Sequence, residues 1–310
     1  MYNRRDFIRQ SMMAAGALVG PVPAFASDPE TKRLVILHTN DVHSRLEPFP
    51  MDGSRNQGLG GVAARAALIQ SIRSREEQVL LLDAGDIFQG TPYFNVFKGE
   101  PEIKAMSMMG YDACTMGNHD FDAGLENFAT QLQHARFPVV ICNYDFTGTP
   151  MEYRFQPYHI IRKGTLKIGI TGVGIELKGL VPDDLAGKTQ YLDPIACVNR
   201  TAEMLKKRYQ CNMVICLSHL GYQYRESSTK VSDISLAKET AFLDLIIGGH
   251  THTFLDKPVV QQNKNGADVV INQVGWGGIL LGRLDYEFTK DGKKNLVQNK
   301  ALRIEQKSVE

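Results

Sequence analysis

A ten-residue stretch near the start of the sequence decides the fold: LVILHTNDVH, from Leu34 to His43. Its first four residues are all aliphatic, which is typical of a buried β-strand. Its last residues are polar, and Asp41 and His43 carry oxygen and nitrogen atoms that bind metal ions in many proteins. A strand that ends in such residues predicts a site at the carboxyl edge of a sheet, where α/β proteins place their ligands.

The same arrangement recurs at four further strands. Val79–Leu82 leads into Asp83-Ala84-Gly85-Asp86, Asp112–Thr115 into Gly117-Asn118-His119-Asp120-Phe121-Asp122, Met213–Leu217 into Ser218-His219, and Leu243–Ile247 into Gly248-Gly249-His250-Thr251-His252. Any one of these residues, taken alone, is commonly a cap or a turn residue. Five strand ends that all deliver Asp, Asn or His predict one shared functional site.

The rest of the sequence alternates strands with helices. We predict two more strands at Val139–Cys142 and Leu166–Thr171, and helices at Val62–Ile72, Glu102–Met109, Leu125–Ala135 and Ile195–Arg208. Past Trp276, the segments Ile279–Phe288 and Asn295–Ile304 read as a β-hairpin. Apolar strands that alternate with helices indicate an α/β domain whose sheets are buried on both faces.

The first 26 residues have the features of a twin-arginine signal peptide. Arg4 and Arg5 precede a short Ala- and Gly-rich run, and Ala24-Phe25-Ala26 is a small-x-small cleavage site. The run is shorter than the ~20 residues that span a bilayer, and no Cys follows the cleavage site, so we expect no stable membrane anchor. We therefore predict a signal peptide at residues 1–26, a catalytic domain at 27–310, and export to the periplasm.

Composition excludes several classes of protein. The chain has 310 residues, of which 43% are hydrophobic, and its formal charge is +1. With this balance, the chain lacks the excess of basic residues that would indicate binding to a nucleic-acid polymer. None of the five cysteines shows C-x-x-C spacing, which argues against a zinc ribbon or a thioredoxin motif.

The donor atoms at the strand ends predict the class of metal. They are imidazole nitrogens, carboxylate oxygens and one amide oxygen, with no thiolate, a set that suits divalent Zn, Mn, Fe, Co or Ni. Two metal ions lying ~3.5–4 Å apart need one ligand that reaches both, and a carboxylate does this best. Asp86 is the natural bridge between two ions.

These motifs together resemble the signature of the calcineurin-like metallophosphoesterases. The resemblance rests on Asp41-x-His43, Gly85-Asp86, Gly117-Asn118-His119-Asp120, His219 and Gly249-His250-x-His252, and their extended forms are similar to the 5′-nucleotidase branch. It spans roughly residues 33–290. It implies a four-layer α/β/β/α sandwich with two divalent ions at its edge, and hydrolysis of nucleotides or other small phosphate esters.

The resemblance also implies a role for each site residue. One ion is expected on Asp41, His43, Asp86 and His252, and the other on Asp86, Asn118, His219 and His250. His119 is expected to be the catalytic imidazole, oriented by Asp122. Asp120, where this branch often has Glu, receives no direct role. From its position at a strand end, and independently of the resemblance, Asp83 is expected either to support a metal-binding histidine, which we prefer, or to cap the strand.

Three functions stay open at this point. Full-length 5′-nucleotidases carry a second, C-terminal domain that binds the base, and the sequence past the hairpin is too short for one. The chain is therefore expected to be a self-sufficient phosphomonoesterase or the catalytic subunit of a split nucleotidase. A non-enzymatic metal-binding module is the third possibility, and a 2′,3′-cyclic-nucleotide phosphodiesterase would use the same metal centre.

Overall fold

The computed structural model describes residues 31–305. The expected signal peptide at residues 1–26 lies outside the described residues. The strands are β1 Lys32–Thr39, β2 Val79–Asp83, β3 Ala113–Cys114, β4 Tyr144–Asp145, β5 Tyr158–Lys163, β6 Leu166–Gly174, β7 Gln190–Tyr191, β8 Met213–His219, β9 Leu245–Gly248, β10 Val259–Gln262, β11 Asp268–Asn272, β12 Leu280–Phe288 and β13 Lys294–Arg303. The α-helices are α1 Val62–Arg73, α2 Pro92–Phe97, α3 Glu100–Met109, α4 Leu125–Gln131, α5 Asp183–Ala186, α6 Pro194–Glu203 and α7 Asp233–Glu239.

Two large sheets contain most of the strands. The first has the order β13-β12-β1-β2-β3, and the second has the order β10-β11-β9-β8-β6-β5. The strands that end at the predicted site run parallel to their neighbours: β1 with β2, β2 with β3, and β8 with β9. Parallel strands bring their carboxyl ends to one edge, so each sheet presents its polar strand ends on the same side.

The two sheets pack face to face, and helices cover their outer faces. Alternate residues of β1 point to opposite sides, as the pleat of a strand requires. Leu34 and Ile36 belong to the apolar cluster between the sheets, together with Ile215 and Ile247 of the second sheet. Val35 and Leu37 pack instead in the cluster that includes α1 and α3.

The second sheet is covered in the same way. Val214 of β8 and Ile246 of β9 pack with Val198 of α6 and Leu236 of α7. The layers therefore run helix, sheet, sheet, helix. The predicted four-layer α/β/β/α sandwich is confirmed.

One predicted strand is wrong. Val139–Cys142 forms only isolated bridges, because its backbone divides its hydrogen bonds between the two sheets. The Val140 N–H donates to the carbonyl of Cys114 in β3, and the Cys142 N–H donates to the carbonyl of Gly172 in β6. The segment thus crosses from one sheet to the other and belongs to neither.

Two predicted helices end earlier than expected. The helix predicted to reach Ala135 is α-helical only to Gln131 and continues as a 3₁₀ turn at Leu132–His134. The helix predicted to reach Arg208 widens to a π-helical turn at Met204–Arg208. The C-terminal hairpin is confirmed by β12 and β13, which pair antiparallel.

Candidate metal centre

The polar strand ends of both sheets converge at one edge, and the backbone there adopts an uncommon conformation. Five of the predicted site residues have positive φ angles: Asp41 (49°), His43 (52°), Asp86 (54°), His250 (72°) and His252 (51°). Non-glycine residues rarely occupy this left-handed region, and such strain concentrates at functional sites.

The loops that follow β1 and β2 are bonded directly to each other. The Asp41 N–H donates to the carbonyl of Gly85 at 2.9 Å, and the His43 N–H donates to the carbonyl of Asp86 at 3.0 Å. Gly117, in the loop after β3, lies against this pair. A Cβ at position 117 would lie 2.1 Å from Oδ1 of Asp86, so only glycine permits the approach.

Asp41, His43 and His252 form one cluster of donor atoms. Nε2 of His43 lies 3.0 Å from Nε2 of His252, which lies 3.4 Å from Oδ1 of Asp41. The other ring nitrogen of His43, Nδ1, faces the carbonyl of Phe88 at 3.3 Å. The two imidazoles and the carboxylate therefore point at a common centre.

A second cluster contains Asp41, Asp86 and His219. Nε2 of His219 lies 3.1 Å from Oδ2 of Asp86 and 3.8 Å from Oδ1 of Asp41. Nδ1 of His219 faces the carbonyl of Ala84 at 2.7 Å. The same Oδ2 atom of Asp86 lies 3.8 Å from Nε2 of His43, so this carboxylate faces both clusters.

His250 and Asn118 meet at the edge of the second cluster. Nδ1 of His250 lies 2.8 Å from Oδ1 of Asn118, and its ring centre lies 5.4 Å from that of His219. The backbone N–H of His250 donates to both carboxylate oxygens of Asp41, at 2.9 and 3.1 Å. Asp41 is thus held by the loop that carries His250 and His252, and it lies in both clusters.

His119 and Asp122 form a separate pair beside the clusters. Nδ1 of His119 lies 2.8 Å from Oδ2 of Asp122, and the His119 side chain is 37% exposed. The backbone N–H of His119 donates to Oδ1 of Asp86 at 2.8 Å. The imidazole therefore stands at the open side of the site, 5.3 Å from the ring of His43, and is accessible to a small molecule.

The electrostatics of the clusters favour bound positive charge. Burial opposes a charge on His219, but the carboxylates of Asp86 and Asp41 outweigh it and raise the pKa of His219 to about 10. Burial likewise opposes ionisation of Asp86, yet the facing His219 holds the pKa of Asp86 well below its usual range. A site that draws a proton onto a fully buried imidazole is one that attracts cations.

The remaining imidazoles differ in charge according to their surroundings. Burial, reinforced by the charge of His219, lowers the pKa of His250 to about 4. Burial also lowers the pKa of His43, although Asp86 and Asp41 oppose the shift. The hydrogen bond that the His119 imidazole donates to Asp122 instead raises the pKa of His119.

The donor set fits divalent metal ions. Nε2 of His219 is buried and, within residues 31–305, its contact is with the carboxylate oxygen Oδ2 of Asp86 at 3.1 Å, without regular hydrogen-bond geometry, while Nδ1 of the same ring faces a carbonyl. Histidines that bind metal show this arrangement, with one nitrogen on the ion and the other N–H on a carbonyl or a carboxylate. Each of the two clusters brings three ligand atoms within 4.8 Å of one another.

Sequence reasoning missed the part played by Asp120. Its carboxylate accepts hydrogen bonds from the backbone N–H groups of Gly117, Asp86, Ile87 and Phe88, at 2.8 to 3.1 Å. It therefore holds the loop of Asp86 against the loop of Asn118. An acid in a turn signals local backbone capping, as Asp120 does for Gly117, but nothing in the sequence shows that its other three partners lie more than 30 residues away.

Of the two roles expected for Asp83, support of a metal-binding histidine and a cap at the strand end, its contacts fit the cap. Its carboxylate accepts from the hydroxyl of Thr39 at 2.6 Å and from the N–H of Gly85 at 2.9 Å. The carbonyl of the next residue, Ala84, faces His219 instead. Asp83 thus shapes the turn between β2 and Asp86.

Comparison with known proteins identifies the family. The family model described as calcineurin-like phosphoesterase matches residues 34–254. The chain belongs to the calcineurin-like phosphoesterases.

Between residues 31 and 305, no helix has the length and apolar character needed to cross a bilayer.

Individual relatives of this phosphoesterase include several nucleotidases. It is 34% identical to the 5′-nucleotidase of Vibrio cholerae over 307 residues, which cover 91% of this chain and 53% of the relative. A 5′-nucleotidase precursor from Thermus thermophilus aligns with a TM-score of 0.79 and 32% identity, over 88% of this chain and 55% of the other. The calcineurin-like phosphoesterase YfkN of Bacillus subtilis aligns with a TM-score of 0.72 and 27% identity, over 89% and 91% of the two chains. The chain spans about half the length of the curated relatives it matches.

Proposed function

We propose that this chain is a two-metal phosphomonoesterase that acts on nucleotides. The observation that carries the proposal is the position of Asp86, whose Oδ2 lies 3.1 Å from Nε2 of His219 and 3.8 Å from Nε2 of His43. One carboxylate that faces two groups of donor atoms is what a pair of adjacent cations requires.

The proposed ligands divide between two ions. Asp41, His43, Asp86 and His252 would hold one, and Asp86, Asn118, His219 and His250 the other. When bound, two divalent cations polarise phosphoryl oxygens and lower the pKa of a water molecule, which supplies hydroxide at neutral pH. Zn, Mn, Fe, Co and Ni are the metals that suit this donor set.

His119 and Asp122 would serve the substrate and not the ions. The His119 imidazole is exposed on the open side of the site, and its Nδ1 is occupied by Asp122 at 2.8 Å. Nε2 is left to hydrogen-bond to a phosphoryl oxygen or to protonate the departing alkoxide. Asp122 fixes the orientation of the ring and favours its protonated form.

Nucleotides are the substrate class that the relatives support. The Vibrio cholerae relative is named a 5′-nucleotidase, and a Haemophilus influenzae structure that aligns at a TM-score of 0.77 is named an NAD nucleotidase. The formal charge of +1 gives no long-range field, so the phosphate would be held by the local metal centre.

A second candidate is the catalytic subunit of a split nucleotidase. The relatives extend well beyond the segment that this chain matches, which is 47% of one and 53% of another. The base-binding part would then be a separate polypeptide.

We also propose that residues 1–26 direct export by the twin-arginine route to the periplasm, which suits a protein that takes up metal as it folds.

A panel of substrates tests the proposal. The chain is freed of metal with a chelator, loaded with Mn²⁺ or Zn²⁺, and assayed on the four nucleoside 5′-monophosphates, a UDP-sugar, a 2′,3′-cyclic nucleotide and an aryl phosphate. Metal-dependent release of phosphate from the monophosphates is the expected result. Hydrolysis that survives complete removal of metal would contradict the proposal, and preference for the cyclic substrate would reassign the chain as a phosphodiesterase.

A further inference from the structure

The imidazole of His252 is fixed differently from the other proposed ligands. Nδ1 of His43 and Nδ1 of His219 face the backbone carbonyls of Phe88 and Ala84. Within residues 31–305, the one hydrogen-bond contact of His252 is through Nε2, toward His43. Its side chain is also 41% exposed, so neither burial nor a hydrogen bond at Nδ1 sets the plane of its ring.

An indole ring lies against that imidazole. The ring of Trp276 is stacked on the ring of His252, with centroids 5.8 Å apart and planes inclined by 15°. The edge of Phe49 packs on Trp276 at 5.5 Å and 87°, and the guanidinium of Arg45 lies 4.0 Å over the ring of Phe49. Offset-stacked and edge-to-face contacts at these distances are attractive, and so is a cation over an aromatic face.

The backbone that carries Trp276 is attached to the loops of the metal centre. The Asn40 side chain donates to the carbonyl of Gly275 at 2.6 Å and accepts from the N–H of Val274 at 3.0 Å. The Gly277 N–H donates to the carbonyl of Asp41 at 2.7 Å. On the other side, the Gly275 N–H donates to the carbonyl of Thr253, next to His252, at 2.9 Å. The indole is therefore held in place relative to both Asp41 and His252.

We propose that Trp276 is the positioning residue of His252. The stacked indole sets the plane of the imidazole, as a backbone carbonyl does for His43 and His219. It also shields one face of the ring from water. The inference rests on the proposed metal centre, and it concerns only the ion that His252 would bind. Trp276 is the one tryptophan in the sequence, so the protein's tryptophan fluorescence comes from the ring that lies against His252.

The test measures metal binding and fluorescence on the metal-free protein. Mn²⁺ is titrated into the wild type, W276A and W276F while bound metal is followed by equilibrium dialysis with elemental analysis. We expect two ions per chain in the wild type, and quenching of the fluorescence in step with one of them. W276A should bind one ion ~10-fold more weakly and leave the other unchanged, because the groups that orient a ligand are worth 10–100-fold in metal affinity.

Two controls separate a local effect from general damage. W276F keeps a ring that can stack and should lose less affinity than W276A. F97A removes an exposed aromatic ring that stacks on Tyr93 of α2 and does not contact His252, and this variant should bind both ions as the wild type does.

The outcomes distinguish this inference from the proposed function. Equal affinity of W276A and the wild type for both ions, with no fluorescence change in the wild type, would overturn the role of Trp276 and leave the two-metal centre standing. A wild type that binds no Mn²⁺ would overturn both.

Discussion

The imidazole of His119 and the carboxylate of Asp122 are joined by a contact of 2.8 Å between Nδ1 and Oδ2, one 3₁₀ turn apart in the chain. The turn places the two side chains on the same side, so the pair forms locally and does not depend on the convergence of the two sheets. The backbone N–H of His119, and not its ring, donates a hydrogen bond to a proposed metal ligand, Oδ1 of Asp86.

His119→Ala should therefore lower turnover much more than it lowers metal content. A group that donates a proton or hydrogen-bonds to developing charge is worth ~10²–10⁴-fold in rate. The measurement is kcat on a nucleoside monophosphate together with elemental analysis of the same preparation. Loss of metal along with activity would show that His119 is a ligand and would refute the assigned role.

Asp86→Ala, in contrast, should lower the metal content of the protein. Its Oδ2 faces both clusters, so the substitution removes a ligand from each ion, and both ions should be lost on dialysis. Asp122→Asn is the matched control, because the Asp122 side chain contacts His119 and is not among the proposed ligands, so this variant should retain both ions. Retention of two tightly bound ions by Asp86→Ala would contradict the bridging position.

Asp120→Ala should destabilise the fold as well as the site. Four backbone N–H groups lose their acceptor, and each buried donor left unpaired costs ~1–3 kcal/mol. The free energy of unfolding of the metal-free protein should fall by about 3 kcal/mol or more, as measured by urea denaturation. A loss below ~1 kcal/mol, the worth of a single ordinary hydrogen bond, would mean that Asp120 does not hold the two loops together.

Asp233 gives the protein a pH-dependent stability. Burial raises the pKa of this carboxyl to about 8, although the hydroxyl of Ser218 donates to it at 2.5 Å. The folded protein keeps the proton up to about pH 8, whereas the unfolded chain releases it near ~3.9. The contribution of Asp233 to stability is thus fully present below that lower pKa and is lost as the pH rises to about 8.

Asp233→Asn removes this pH dependence, because the amide mimics the protonated acid. The unfolding free energy of the variant, relative to the wild type, should rise steadily from pH 5 to pH 8. The exposed Asp256→Asn is the control and should follow the wild type throughout. A constant difference between Asp233→Asn and the wild type across this range would show that the buried carboxyl is ionised in the folded protein.

Much of the fold was predictable because local patterns decide it. Aliphatic strands that alternate with helices predicted the layered α/β class. The polar residues after each strand predicted the sheet edge at which the site lies. The segment Val139–Cys142 has the apolar character of a strand, and only the competition of two sheets for its backbone prevents it from being one. Such competition depends on which strands pair in the folded protein, so the local sequence does not show it.

The limits of the site prediction have the same cause. Asp120 and Trp276 act through partners that are distant in sequence, Asp86 to Phe88 in one case and His252 in the other. The clusters also place Asp41 beside both His252 and His219, whereas the family resemblance put only Asp86 between the two proposed ions. Which carboxylate lies beside both ions depends on the distances between loops, and those distances cannot be read from the spacing of residues along the chain.

The central claim is that two divalent cations lie on either side of Asp86. Crystals soaked in Mn²⁺ and measured at the manganese absorption edge test it most directly. The account predicts two anomalous peaks roughly 3.5–4 Å apart, the separation found in two-metal hydrolases. One peak should lie beside His43 and His252, the other beside His219, with the carboxylate of Asp86 between them. A single peak, or none within reach of Asp86, would contradict it.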